Sequence, residues 1–324
     1  MKAKLCGYLC SPCCRDALEL KAERVEGSEI REGSLTCRRC RAAYPISRGI
    51  PRFVSSDHYV SSFSFEWAIH GRTQFDTEQV ATSRADFGHA IDIPWTGLAG
   101  KIVLDAGCGS GRYLDVLKDS GAEVIGIDLS FAIDVAQENL GTCPNVYFVQ
   151  ADIFRLPFRD GFFDCIHSTG VLHHTPDTRA AFRALTVKLA PGGRISIFVY
   201  PNYDWVYRGL TDFYRKFTTR LPKRLLYNLC KIAIPLHYVL RIPLLGPLVN
   251  ILLPSAAVYE NPRWRVLNTF DWYSPKYQWA HSIEEVFAWF EEAGLEKIRV
   301  LPRRVTLGGS KPAASSSESG EEVR

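Results

Sequence analysis

The stretch Val103–Arg112, VLDAGCGSGR, constrains the fold more than any other segment of the chain. An apolar run ends in an acid, and Gly107, Gly109 and Gly111 follow at alternate positions before a helical pattern resumes. A strand running into glycines and then a helix is how an open α/β sheet brings backbone against a ligand at the strand's carboxyl end. The spacing also excludes one ligand class: a dinucleotide loop needs G-x-G-x-x-G, and its third glycine would fall at Arg112. Asp105, just ahead of the first glycine, would repel a pyrophosphate. It suits a ligand that carries positive charge and no phosphate.

The alternation around this loop extends the reading. KIVLDAG, AEVIGIDL, NVYFVQAD, FFDCIHS and GGRISIFVY are apolar runs separated by helical patterns within residues 101–200, which predicts a parallel sheet with covering helices. EKIRVLP and RVTLGGS add an antiparallel pair at the end. Together they make a doubly wound, seven-stranded, mostly parallel sheet. Between the fifth strand and this pair lies a helical insertion, residues 201–277, which opens with Val206, Leu210, Phe213 and Phe217 on one helical face. Ser282 and Glu285 form a capping box for IEEVFAWFEEAG, with Gly294 as its stop. The expected organisation is therefore an N-terminal module over 1–54, a helical linker or lid over 55–99 and the main domain over 100–310. The tail 311–324, KPAASSSESGEEVR, has nothing to bury and is expected to be disordered.

Ten cysteines in a chain with no apolar run of signal-peptide length predict a reduced, cytoplasmic protein in which some thiols have a use other than disulfides. Cys10-x2-Cys13 and Cys37-x2-Cys40, separated by 23 residues, have the pattern of a structural four-cysteine zinc site. The intervening ELKAERVEGSEIREGSLTC alternates well enough to be a hairpin. Cys6 and Cys14 are alternative ligands, but the Cys-x2-Cys geometry favours Cys10, Cys13, Cys37 and Cys40; a redox patch is the competing use. Cys108, Cys143, Cys165 and Cys230 read as small buried apolar residues.

LDAGCGSG, followed in order by VIGIDLS, QADIFRLPF, FFDCIHSTGVLHHTPD and LAPGGRISIF, resembles the class I S-adenosylmethionine-dependent methyltransferases, from Gly100 to Tyr200 and again after His281. The resemblance implies a Rossmann-like fold, S-adenosylmethionine as cofactor and methyl transfer. It assigns Asp128, at the end of the second strand, to the ribose hydroxyls, and Asp152, at the end of the third, to the adenine amino group. Ile153 would supply a backbone donor and an apolar wall. Gly107, Gly109 and Gly111 would let the backbone lie along the methionine part, and Asp105 would meet its ammonium directly or through water. Met1–Val54 resembles the zinc-ribbon family that includes the activator subunit of tRNA and protein methyltransferases, on the Tyr44–Ile46 and Gly49–Pro51 segments and the two cysteine pairs.

A sulfonium already activates its methyl group, so catalysis rests on holding an acceptor in line with it. A base matters only where the acceptor must lose a proton. His173 and His174, in STGVLHHTPD, are the candidates, and His173 is the preferred one; the competing reading makes one a helix-start residue and the other a packed core residue. The Asn/Asp-Pro-Pro-aromatic motif of amino-group methyltransferases is absent here, which disfavours base and glutamine amino groups as acceptors. SFSFEWAIHGRTQFD resembles segments that precede the fold in methyltransferases of this subgroup and form a lid there, which implies Phe65, Trp67, Arg72 and Gln74 closing the site with Arg72 facing the methionine carboxylate; an amphipathic helix packed on the sheet is the competing reading.

RLLYNLCKIAIPLHYVLRIPLLGPLVNILLP is strongly apolar but broken by Pro235, Pro243, Pro247 and Pro254. Residues 201–258 also hold eight Lys/Arg against two Asp, a net of +6 in a chain of net +4. Short helices that wall an acceptor pocket, or that lie peripherally on a membrane surface, fit this composition. The expected acceptor is a small organic, lipid-linked or saccharide molecule. The rival enzyme reading is an RNA methyltransferase using ribbon and insertion to hold phosphates, and the non-enzyme reading is an activator or scaffold.

Overall fold

A computed structural model describes residues 1–54, 58–77, 82–90, 97–202, 205–253 and 259–313. The N-terminal module is a four-stranded antiparallel sheet of β1 (Leu18–Glu26), β2 (Glu29–Cys37), β3 (Ala43–Ser47) and β4 (Ile50–Pro51), in that order. The expected hairpin is β1–β2, turning at Gly27 with φ +60°. Helices α1 (Ser61–His70) and α2 (Thr82–Ala90) lead into the main domain.

That domain is a seven-stranded sheet of β5 (Ile102–Ala106), β6 (Glu123–Asp128), β7 (Val146–Gln150), β8 (Phe163–Thr169), β9 (Leu189–Phe198), β10 (Glu296–Val300) and β11 (Thr306–Ser310). Their spatial order is β10-β11-β9-β8-β5-β6-β7. Strands β5 to β9 are mutually parallel, and β11 runs antiparallel between β9 and β10, as the final pair was expected to do. Helices α3 (Arg112–Leu117), α4 (Ala132–Leu140) and α5 (Thr178–Lys188) follow β5, β6 and β8.

Continuously apolar strands are what a sheet covered on both faces requires. Leu104, Ile125, Ile127 and Ile166 pack to one side with Phe182 and Phe290, while their neighbours Val103 and Val124 pack to the other with Leu114 and Ile133. The strand order reverses about β5, with β6 on one side and β8 on the other, which opens a crevice at the carboxyl ends of the strands.

The N-terminal module covers the β7 edge. Phe53 N donates to Gln150 O at 2.8 Å, extending the sheet by a short rung. The Arg52 guanidinium reaches Asp134 Oδ1 at 2.7 Å and Gln150 Oε1 at 2.8 Å, with both charged partners nearly buried. Leu5, Leu9, Leu35 and Ile46 join the same apolar cluster as Val149 and Phe158, so the module shares its core with the main domain.

The insertion comprises α6 (Trp205–Thr218), α7 (Lys223–Cys230), α8 (Ala233–Val239), α9 (Leu245–Leu252) and α10 (Pro262–Tyr273), after which α11 (Ile283–Glu292) begins at the expected cap, with Glu285 N donating to Ser282 Oγ. Phe213 and Phe217 share a face of α6, but that face points to solvent. The side chain of Val206, and Pro254, lie outside the described residues. Among the described residues no helix is long and apolar enough to cross a membrane. The tail begins later than expected: Lys311 N donates to Gly193 O and Gly192 N to Lys311 O, which anchors the chain at residue 311. Residues 314–324 lie outside the described residues.

Candidate active site

A cavity of about 230 Å³ opens at the carboxyl ends of β5, β6 and β8 and is roofed by α1 and α10. Its floor is the glycine loop. Gly107 N and Cys108 N donate to Ile127 O at 2.8 and 2.9 Å, and Gly109 N donates to Asp128 Oδ2 at 2.9 Å, so the loop is tied to the end of β6. Asp128 Oδ1 also accepts from Ser130 N and Ser130 Oγ. Burial pushes this carboxyl up, against those hydrogen bonds. Gly107 has φ +86°, and a Cβ there would lie 2.4 Å from Val171 Cγ1, so the position admits only glycine without rearrangement. Gly109 lies under the ring of Trp67, the lid residue of α1.

Gly107, Gly109, Asp128, Asp152 and Ile153 all line the cavity. Asp152 Oδ1 accepts from Phe154 N at 3.0 Å and caps the short turn that carries Ile153. Two expected residues stand back from the wall. Gly111, with φ +94°, serves as the start of α3. Asp105 lies beneath the loop, 2% exposed, with Oδ2 unpartnered. Burial, with the charge of Asp128, pushes Asp105 up to about 8. His167 Nε2 lies 3.5 Å from Asp105 Oδ1, but burial pushes His167 down to about 3, so the two face each other as neutral groups at pH 7.

The structure separates the two histidines, and it is not the preferred His173 that lines the cavity. His173 is fully buried, stacks on Tyr200 with 3.8 Å between ring centroids, and accepts from Tyr200 N through Nδ1. It does not line the cavity, because the short turn Leu172–His174 points it back under β9. His174 does line it. Its Nδ1 bonds to Tyr277 O at 2.9 Å, and a carbonyl only accepts, so Nδ1 holds the proton. Burial pushes His174 down, which keeps it neutral and leaves the lone pair on Nε2. That atom has no hydrogen-bond partner and lies 3.9 Å from Asp271 Oδ1.

The cavity also holds residues that the sequence did not single out. Asp271 of α10 accepts from Tyr200 Oη at 2.8 Å. Glu66 of α1 is buried with Oε2 unpartnered, and burial raises it well above the carboxylate range, so it is a hydrogen-bond donor. Arg303, between β10 and β11, presents an unpartnered Nη1 and stacks 3.7 Å from the centroid of Phe198. Glu66 and Asp271 fall in the SFSFEWAIH and NTFDWYSP segments, whereas nothing in the sequence around Arg303 marks it. Of the other lid candidates, Gln74 is on the wall, Phe65 packs away on Phe270 and Tyr227, and Arg72 lies outside over Phe75. Arg112, at the position where a dinucleotide loop needs its third glycine, lines the cavity and pairs with Asp86.

The cysteine cluster also differs from expectation. The thiols of Cys14, Cys37 and Cys40 lie within 4.8 Å of one another. A zinc tetrahedron with thiolates at about 2.3 Å separates its ligands by roughly 3.8 Å, so the three positions fit that ion. Ser11 Oγ lies 3.3 Å from Cys40 Sγ, and its hydrogen bond pulls the Cys40 thiol down to about 7, towards the thiolate a metal needs. Cys10 is not in the cluster: its amide donates to Pro157 O, and its buried thiol turns towards Arg15. Cys13 is exposed beside the cluster. The turn from Ser11 to Cys14 thus presents its last cysteine, where Cys10 and Cys13 had been expected.

Residues 104–197 match a family model described as a methyltransferase domain, and residues 2–49 match one described as Trm112p-like protein. The chain is 38% identical to a probable tRNA methyltransferase 9B of Mus musculus over 31% of this chain and 22% of that protein. It is 37% identical to a ubiquinone biosynthesis O-methyltransferase of Albidiferax ferrireducens over 30% of this chain and 40% of that protein. A sterol 24-C-methyltransferase of Gibberella zeae is 29% identical over 36% of this chain and 30% of its own length. The chain therefore spans less than half the length of each of these relatives.

Proposed function

Because the chain carries a methyltransferase domain behind a Trm112p-like segment, we propose that it is an S-adenosylmethionine-dependent methyltransferase acting on a hydroxyl oxygen of a small organic, lipid-linked or saccharide acceptor. Bound over the glycine loop, S-adenosylmethionine would supply a methyl group on a sulfonium. Asp128 and Asp152 line the cavity and would take its ribose and adenine, while Asp105, beneath the loop, would act on its ammonium through water.

The observation that carries the oxygen assignment is the His174 tautomer. With Nδ1 donating to Tyr277 O, the lone pair is left on Nε2 of this cavity-lining residue, where it would take the acceptor's hydroxyl proton. Asp271, itself fixed by Tyr200 Oη, then faces the imidazolium. Protonated Glu66 donates to the acceptor from the roof. Tyr59, Phe63, Trp67 and Trp264 supply apolar walls that exclude water from the transfer. We assign zinc to Cys14, Cys37 and Cys40, with Ser11 at the fourth position.

RNA as acceptor is disfavoured by the insertion, where among the described residues the exposed basic side chains alternate with exposed leucines and phenylalanines and form no continuous polar stripe. The decisive experiment transfers a labelled methyl group from S-adenosylmethionine into a cell extract and identifies the product. A methyl ether is expected. His174→Ala should lower turnover by about 10²–10⁴-fold with cofactor affinity intact, while labelled RNA, or an unaltered rate in His174→Ala, would refute the assignment.

A further inference from the structure

The insertion exposes more large apolar side chains than it buries. Its own core is small: Leu226, Cys230, Val266 and Phe270, with a satellite at Ala233 and Leu236. Against that, fourteen large apolar residues between Phe213 and Leu253 are exposed. They fall in helical stripes: Phe213 and Phe217 on α6, Leu225, Leu229 and Ile232 along α7 and just past it, and Leu245, Leu248 and Leu252 on α9. Neighbouring helices carry them, with Tyr214 Oη of α6 donating to Leu252 O of α9. Leu244, between α8 and α9, is 92% exposed and has φ +66°, a left-handed conformation that costs a leucine strain. A strained backbone that holds an apolar side chain out in water indicates a surface that is covered in use.

The charge on this face narrows what covers it. Phe213–Leu253 contains no Asp or Glu and seven Lys/Arg, of which Arg215 is buried against α10 and Arg241 pairs with Glu260. Lys216 and Arg220 lie in the α6 stripe, and Arg224 and Lys231 flank that of α7, all exposed. A second copy of the chain would set like charges against like. A nucleic acid would leave the apolar stripes in water. Leucines and phenylalanines interleaved with lysine and arginine match the boundary of a bilayer, where acyl chains lie beside phosphates.

We propose that α6–α9 form a docking face for an anionic lipid bilayer, with the apolar stripes seated among the acyl chains and the basic residues against the headgroup phosphates. The cavity roof, α10, packs directly on the inner side of α6, α7 and α8. Docking therefore sets the elements that carry the cavity roof against the lipid.

The test is co-sedimentation of the full chain with phosphatidylcholine vesicles, with and without phosphatidylglycerol. The protein should pellet with the anionic vesicles and dissociate as salt rises. Leu244→Asp combined with Leu248→Asp should weaken this partition at least tenfold while leaving the melting temperature and S-adenosylmethionine binding unchanged, since neither residue lines the cavity. Lys216→Glu combined with Arg224→Glu should abolish the preference for anionic lipid. The proposal is overturned if the protein stays in the supernatant with both vesicle types, or if it is a stable dimer that Leu244→Asp dissociates. RNA binding with a steep salt dependence that ignores the leucine substitutions would overturn it too.

Discussion

Asp105→Asn tests the electrostatics of the glycine loop in two opposite directions. The carboxyl group is 2% exposed, lacks a partner at Oδ2, and rises from 3.8 to about 8 through burial and the charge of Asp128. Four units at about 1.4 kcal/mol each put the cost of its ionisation in the ligand-free fold on the order of 5 kcal/mol. The folded value lies above the unfolded one, so the folded chain binds this proton more tightly, and its contribution to stability falls as pH rises from about 4 to about 8. Asn keeps the shape and cannot ionise. The ligand-free variant should therefore melt above the wild type at pH 8. A cationic ligand reverses the preference, because an ammonium favours the carboxylate. The variant loses that charge-assisted contact, worth about 1.5–3 kcal/mol, or roughly ten- to a hundred-fold in affinity. Titration calorimetry with S-adenosylmethionine, run between pH 6 and 9 on both proteins, reads the effect. The ratio of the two Kd values cancels any titration of the ligand itself. It should widen by about tenfold per pH unit below pH 8 and level off above it. A variant that melts no higher and binds with wild-type affinity at every pH would refute the assignment of Asp105 to the ligand's ammonium.

The cysteine cluster and the loop glycine give two further expectations. Cys14→Ser and Cys37→Ser should each lower bound zinc measured by mass spectrometry of the intact protein, whereas Cys10→Ser should not; equal loss from Cys10→Ser would restore the ligand set expected from the sequence. Ser11→Cys should slow zinc release to a chelator by supplying a fourth thiolate. Gly107→Ala forces a methyl group to within 2.4 Å of Val171 Cγ1 at a positive φ and should cost roughly 1–3 kcal/mol in denaturant unfolding, part of which Val171→Ala should recover.

Much of the main domain was legible because local pattern and tertiary environment agree there. The five parallel strands are buried on both faces, so their apolar runs are unbroken, and the Ser282 cap sits where its spacing with Glu285 places it. Asp128 and Asp152 were legible because a strand end fixes their position. The misses arise where neighbours in sequence have different neighbours in space. His173 and His174 are equivalent until the turn at Leu172 sends one under Tyr200 and the other towards Asp271. Cys-x2-Cys spacing favours Cys10 over Cys14, and nothing in the local sequence shows that Pro157, from the main domain, takes the Cys10 amide. Glu66, Asp271 and Arg303 come from three distant segments, and no local pattern shows that a fold will bring them to one cavity. The outward face of α6 was hidden for another reason: a helical stripe of Phe213 and Phe217 looks the same whether a core or a bilayer is to receive it.

The rung that Phe53 forms on Gln150 bears on how the β7 edge is kept covered. A ribbon supplied as a separate subunit would dock on that edge by a concentration-dependent equilibrium, and a cell could tune the enzyme through the supply of subunit. Here the ribbon is covalently attached, and its effective concentration at the edge is set by the chain itself. Occupancy of the β7 edge is thereby converted from association into folding. Dilution should leave it intact, and a free ribbon of the same kind would find the edge already taken.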